Sequence, residues 1–291
     1  MEGRRFGDTG LVVSALGLGA GQIGEAWIDE RQAARVLHAA LAAGVRLVDT
    51  ARGYGTSEER IGRHLRGRRD DVVVVTKVGY DVEGAEDWTG AAVTGGIDRA
   101  LRVLRTDVLD VALLHSCSLD VLRRGEVIEA LHAAREAGKV RVAGYSGENR
   151  ELEWAVGSGH FAAIETSVNL IDQWSLMNVL PAAGALGVIA KRPLANAPWR
   201  FAERPAGHYA EAYWERLRAL GLEPDDGDWA DTAIRFSAHA PNVSTAIVGT
   251  ASVEHIRAAA AAVERGPLPS ADLARWSDAW RAHAHDWPGL L

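Results

Sequence analysis

The feature that most constrains the fold of this 291-residue chain is a repeated alternation. Short apolar, mostly β-branched runs occur at 16–18, 45–49, 72–76, 108–114, 140–144, 163–167, 188–190 and 243–248. They are continuously apolar rather than alternating, as strands buried on both faces of a helix-covered parallel sheet must be. Between them, helical apolar spacing covers 29–43, 57–65, 89–104, 127–137, 149–157, 175–186, 229–239 and 253–263. In the first of these, Asp29 stands as N-cap, Ala33, Val36, Leu37, Ala40 and Leu41 share one face, and Gly44 stops the helix. The linkers are mostly short and none reads as a domain boundary. One closed TIM-type (β/α)8 barrel, a single domain over residues 1–291, uses every element. An open doubly wound sheet would end after about five to seven strands.

Three segments lie outside the repeat. Residues 4–6 and 11–13, joined by the polar turn 7–10, predict an N-terminal β-hairpin that caps the bottom of the barrel. Residues 196–228 form a long insertion containing Trp199, Phe201, Tyr209, Tyr213 and Trp214. A C-terminal extension carries a helix at 272–284, expected to pack across the outside. Composition narrows the function classes. Hydrophobic residues at 47% supply a sizeable core, and a net charge of -7 argues against nucleic-acid or anionic-membrane binding. The single cysteine, Cys117, permits no intrachain disulfide and no cysteine-based zinc site. The charged start is not a signal peptide, and no window of about 18 apolar residues offers a membrane span. A cytoplasmic monomer is the expectation.

Chemistry in such a barrel sits at the C-terminal ends of the strands. There the chain places Asp49, with Tyr54 five residues on, then Lys77, His115, Ser146, Glu165 through Asn169, and Lys191-Arg192. Lys77 is one of only three lysines among 32 basic residues and follows Val72-Val73-Val74-Val75-Thr76. An ammonium at the rim of a dry core needs a carboxylate, and Asp49 on the adjacent strand is the natural partner. With Tyr54 and His115 beside them, the four suit the protonation of a carbonyl oxygen while hydride arrives at carbon. Lys77 would favour ionisation of the phenol, and His115 would donate to the substrate oxygen. No metal is needed. Each residue alone also has an ordinary structural reading, as ion pair, packed tyrosine or core histidine. Four on adjacent strand ends fit that reading less well.

At these residues the sequence resembles the aldo-keto reductase family. The most specific segment is Gly44-Val45-Arg46-Leu47-Val48-Asp49-Thr50-Ala51-Arg52-Gly53-Tyr54-Gly55, with Ser57-Glu58 and Ile61-Gly62 after it. Val75-Thr76-Lys77, Leu109-Asp110, Leu114-His115, Gly138-Lys139-Val140-Arg141, Gly144, Ser146 and Ile247-Val248-Gly249-Thr250 follow in matching order over roughly residues 4 to 263. The resemblance implies a barrel that holds an extended nicotinamide cofactor, NADP(H) rather than NAD(H), without a Rossmann domain. It implies Tyr54 as general acid, Asp49 and Lys77 tuning it, and His115 polarising the carbonyl.

The cofactor positions depart from the family pattern. Ser146 is followed by Gly147 where the family has Asn, leaving Asn149 as the only nearby amide. Glu165 stands for Gln and Val168 for Tyr, with Asn169 retained. Lys191, Arg192, Pro193 and Leu194 occupy the stretch along nicotinamide and pyrophosphate, where Lys191 and Arg192 are either phosphate partners or a rim ion pair. Trp199 is either a stacking aromatic or loop packing. Gly249, Thr250 and Ser252 open a helix N-terminus suited to phosphate, although Ser252 also reads as a plain N-cap. His255, Ala258 and Ala259 replace the family's Arg and Glu-Asn contacts. Gly21 closes Gly17-Leu18-Gly19-Ala20-Gly21, a tight turn near substrate or cofactor that lacks the third glycine of a dinucleotide loop. Trp27, Tyr80 and Trp88 are expected as pocket walls, with Cys117 as a pocket liner rather than a nucleophile. The expected substrate is a small carbonyl compound or sugar. Two alternatives remain: a dehydrogenase of aldoses or alcohols using the same site in reverse, and a cofactor-binding regulatory protein without turnover.

Overall fold

A computed structural model describes residues 1–225 and 227–291. β1 (Gly3–Arg5) and β2 (Val12–Ser14) pair antiparallel as the N-terminal hairpin. The barrel strands are β3 (Leu16–Gly19), β4 (Leu47–Asp49), β5 (Val73–Val78), β6 (Leu109–His115), β7 (Val140–Ser146), β8 (Ala163–Ser167), β9 (Gly187–Lys191) and β10 (Thr245–Gly249). Every neighbouring pair is parallel, and β10 closes against β3, so among the described residues the barrel sheet has no edge. The helices outside are α1 (Glu30–Ala42), α2 (Ser57–His64), α3 (Gly90–Leu104), α4 (Leu119–Arg124), α5 (Glu126–Glu136), α6 (Asn149–Ser158), α7 (Trp174–Asn178), α8 (Glu211–Leu220), α9 (Trp229–Ala238), α10 (Val253–Glu264) and α11 (Ser270–Arg281).

The strands bury both faces, as their unbroken apolar runs require. One face joins the helices in the outer core, and the other fills the barrel. The inner layer contains Leu47, Val73, Val75, Val111, Leu113, Val142, Ile189 and Ile247, with Phe6 and Val13 from the hairpin region added at the bottom. Phe6 is fully buried and lies against Gly187, where a β-carbon would sit 2.5 Å from its ring. The hairpin therefore plugs the barrel floor, as expected. Asp29 caps α1 by accepting from Gln32 N–H at 2.6 Å.

Two expected elements change. The helix read over 175–186 is a five-residue α7 followed by a 3-10 turn at Leu180–Ala182, because Pro181 enters that turn without an N–H to donate. The insertion at 196–228 contains α8, whose Tyr213 and Leu217 face the core. Trp199 stacks on Trp229 at 5.2 Å and 10°, which decides for loop packing. The C-terminal helix α11 buries Trp276 and Trp280 completely, as an outer layer. Beyond it, the chain turns back over the mouth. Leu290 N–H donates to Asp172 at 2.8 Å, Arg192 donates to Leu290 O at 2.9 Å, and Arg216 donates to Pro288 O at 2.6 Å. Among the described residues no helix is long and apolar enough to cross a membrane.

Candidate active site

The cluster begins with register. Asp49 at the end of β4 pairs with Val75, and two residues on, β5 carries Lys77 beside Leu113 of β6. His115 closes β6 opposite Ser146 of β7, which in turn lies one strand from Glu165 of β8. Alternation along each strand aims these side chains into the barrel mouth. Lys77 lies inside its strand rather than after it, and is 1% exposed. Its Nζ donates to Asp49 at 2.6 and 2.8 Å and to Thr50 O at 3.1 Å. Glu165 stands 3.3 Å from the same ammonium. A single buried cation thus serves two buried carboxylates.

Tyr54 reaches back over this group from the β4–α2 loop. Its ring centroid is 5.1 Å from Lys77 Nζ, and the His115 ring meets it edge-on at 6.1 Å and 87°. Gly21 packs on the other side, with space for a β-carbon only 3.6 Å from the tyrosine ring. All four residues expected to converge do so.

The electrostatics differ from the expectation of a depressed phenol. Lys77 lowers the Tyr54 pKa, but burial and the charges of Asp49 and Glu165 outweigh it and push it up to about 12. The second carboxylate, standing where an amide was the family pattern, accounts for part of that reversal. Burial and Glu165 push Asp49 well up, while Lys77 and then Lys191 pull Glu165 down against its burial. Lys77 is itself held above its ordinary value, because the two carboxylates override the burial penalty. Burial, then Lys77, drives His115 down to about 3, so it is a neutral imidazole at working pH.

Ser146 Oγ and Asn169 Nδ2 are buried at this mouth without a hydrogen-bond partner, while Glu165 Oε2 has only its 3.3 Å ion pair with Lys77. Asn169 spends its Oδ1 on the N–H groups of Ile171 and Asp172, at 3.0 and 2.8 Å, leaving only its donor end. A hydroxyl, which can accept as well as donate, and an amide donor form a set that a primary carboxamide satisfies, its C=O taking the amide N–H and its NH2 the hydroxyl oxygen. The nicotinamide end of the implied cofactor therefore fits these residues. Asn149 is not part of the set. Its amide is tied both ways to Gly289, at 3.0 and 2.7 Å.

The rim residues divide. Lys191 pairs with Glu148 at 3.4 Å, the ion-pair reading. Arg192, in left-handed conformation at φ 54°, is bonded to the C-terminal strap and to the Tyr209 hydroxyl. Pro193 is buried, and Leu194 packs against the outer core. At the β10–α10 turn, Thr250 Oγ1 accepts from Ser252 N–H at 3.0 Å, and Ser252 Oγ caps α10 at His255 N–H, 3.2 Å. Thr250, Ser252 and exposed His255 line an open cleft of about 500 Å³ with Gln22, Trp27 and Gln32, while Gly249 lies exposed at the strand end before it. Trp27 is 72% exposed there. Ala259 faces the core instead. Cys117 is buried rather than a pocket liner, and its thiol is pushed up to about 12 by burial.

Comparison with known proteins agrees with this geometry. The Aldo/keto reductase family profile matches residues 15–281. The chain belongs to that family, and so to the oxidoreductases that act on carbonyl compounds. It is similar to an aldo-keto reductase from Bacillus halodurans in its holo form, at 26% identity and TM-score 0.84, covering 96% of each chain. An aldo-keto reductase from Klebsiella pneumoniae, solved in complex with NADPH, is 27% identical with TM-score 0.74, covering 98% of this chain and 96% of that one. L-galactose dehydrogenase of Arabidopsis thaliana is 27% identical over 282 residues, 90% of this chain and 88% of the relative.

Proposed function

We propose that this protein reduces the carbonyl group of an aldehyde, ketone or open-chain sugar with NADP(H), using Tyr54 as the proton donor. Bound at the mouth, the nicotinamide supplies or accepts hydride at the substrate carbon. The observation that carries the reading is the convergence of Tyr54, His115 and the buried Asp49–Lys77 pair at one strand-end surface. Tyr54 holds its proton through the whole working pH range and so is ready to give it to an oxygen that becomes alkoxide-like. Neutral His115 donates to the same oxygen and orients it. Ser146 and Asn169 hold the carboxamide by the atoms left unpaired, with Glu165 beside Ser146 on the next strand. Thr250, Ser252 and His255, with the N-terminus of α10, serve the phosphate end in the cleft. NADP(H) is favoured by the NADPH complex of the Klebsiella relative.

A second reading, oxidation of a sugar by the same residues in reverse, is favoured by the resemblance to L-galactose dehydrogenase. Microscopic reversibility gives both directions the same residues, and the resting phenol, held protonated at about 12, is in the form that reduction uses. Tyr54→Phe tests the proposal. The variant is expected to lose NADPH-dependent reduction by at least about 100-fold, the lower range for a positioned acid, while NADPH binding, followed by tryptophan fluorescence, is unchanged. Full turnover in the variant refutes the assignment.

A further inference from the structure

A second tyrosine stands against the site histidine. Tyr80 Oη lies 3.0 Å from His115 Nδ1, with the two rings tilted by 36° at 5.4 Å. The loop after β5 is shaped around this contact. Gly79 turns at φ +128°, and a β-carbon there would strike the Trp88 indole at 2.4 Å. Trp88, itself left-handed at φ 63°, donates its N–H to Gly79 O at 2.7 Å and backs the Tyr80 ring at 5.6 Å. Across the mouth, Gly53 leaves the space that the Tyr80 hydroxyl fills, since a β-carbon at Gly53 would lie 2.7 Å from Oη. Beside it, Arg52 pairs with Asp81 at 3.2 Å and ties the two loops together. Unfavourable backbone at Asp81 and Trp88 persists only where the surroundings over-determine it, and here they converge on Tyr80.

We propose that Tyr80 is the positioning residue of His115, donating its hydroxyl proton into a hydrogen bond at Nδ1 and thereby holding the imidazole as the Nε2–H tautomer. A neutral imidazole has one donor and one acceptor nitrogen, and the partner of one nitrogen decides which form is present. Both groups are neutral, and between a neutral phenol and a neutral imidazole 3.0 Å apart the hydroxyl is the stronger donor and the bare ring nitrogen the stronger acceptor, so Tyr80 enters the bond as donor. Nε2 then carries the hydrogen, and among the described residues no other group hydrogen-bonds it. That leaves it free to donate to a substrate oxygen. This consequence rests on the proposed role of His115, whereas the tautomer itself does not.

The test uses the full chain with Tyr80→Phe and Gly53→Ala, the second keeping the phenol but displacing it from Nδ1. Long-range imidazole 15N NMR reads the tautomer, with the His115 signals assigned by their loss in His115→Ala. Wild type is expected to show Nε2–H, and both variants a mixture with Nδ1–H. The kcat for carbonyl reduction is expected to fall roughly tenfold, which corresponds to about 1.4 kcal/mol of barrier, with the NADPH dissociation constant unchanged. A folded Gly53→Ala keeps the test decisive if Tyr80→Phe fails to fold. An Nδ1–H histidine in wild type overturns the proposal, as does a wild-type spectrum in the variants. A tautomer shift in proteins that reduce no carbonyl supports the positioning role and refutes the hydride-transfer reading instead.

Discussion

Replacing Lys77 with methionine removes one cation from between two buried carboxylates and nearly preserves side-chain length. Asp49 loses donors at 2.6 and 2.8 Å, Thr50 O loses one at 3.1 Å, and Glu165 loses its 3.3 Å ion pair. Removing one partner of a buried pair costs about 3–5 kcal/mol. The carboxylates can respond by taking up protons. Keeping a carboxyl of reference pKa near 4 protonated at pH 7 costs about 4 kcal/mol, at ~1.4 kcal/mol per pH unit. Burial and Glu165 already hold Asp49 well up in wild type, and losing the ammonium raises both carboxyls further, so above the wild-type carboxyl pKa values the variant folds with more bound protons than wild type. Linkage gives the sign: extra protons in the native state make stability fall as pH rises. Lys77 itself is held above its ordinary value, so its contribution in wild type is fully present across this range and is lost only at pH above the lysine range. The difference in unfolding free energy between wild type and Lys77→Met should therefore widen, by up to about 1.4 kcal/mol per pH unit, as pH rises from the wild-type carboxyl pKa values to the higher ones of the variant. Urea denaturation at each pH measures it. A difference that is constant with pH, or below about 1 kcal/mol at pH 7, refutes the reasoning.

Other perturbations have equally definite outcomes. Glu165→Gln removes one of the charges that raise Tyr54, so the phenol should titrate below about 12; spectrophotometric titration against the Tyr54→Phe double variant reads this. Asp172 is pushed up to about 6, by burial first, against an ordinary value of 3.8. A raised carboxyl loses stability as pH rises from its unfolded to its folded pKa, so this group should withdraw about 3 kcal/mol between pH 4 and 6. Asp172→Asn should flatten that part of the pH–stability curve. Phe6→Ala empties the barrel floor and should cost about 3–5 kcal/mol in chemical denaturation, with NADPH binding at the opposite end retained.

Much of the site was legible because strand-end chemistry follows from local order. Asp49, Lys77 and His115 each end or nearly end an apolar run, and parallel register then aligns them. Tyr54 was legible through the motif around it. Arg192 and Asn149 were less so, because both are bound by the C-terminal strap, whose partners are 98 and 140 residues away in sequence. Glu165 could be read as a departure from amide to carboxylate, but its 3.3 Å approach to Lys77 could not. The Tyr80–His115 bond had only a faint signal, the glycines at 53 and 79, whose vacancies are filled by Tyr80 and Trp88.

The sequence by itself determined the number, order and direction of the barrel strands, since their apolar runs and the short linkers leave one compact solution. It also determined which side chains stand at the strand ends, because a two-residue period assigns each to one face. Only the tertiary structure decided how those side chains are charged. A phenol beside a lysine reads as acidified, yet Tyr54 stands near 12 because burial and a second carboxylate act on it together. Desolvation and the sum of charges over four strands depend on three-dimensional distance, which no local pattern encodes.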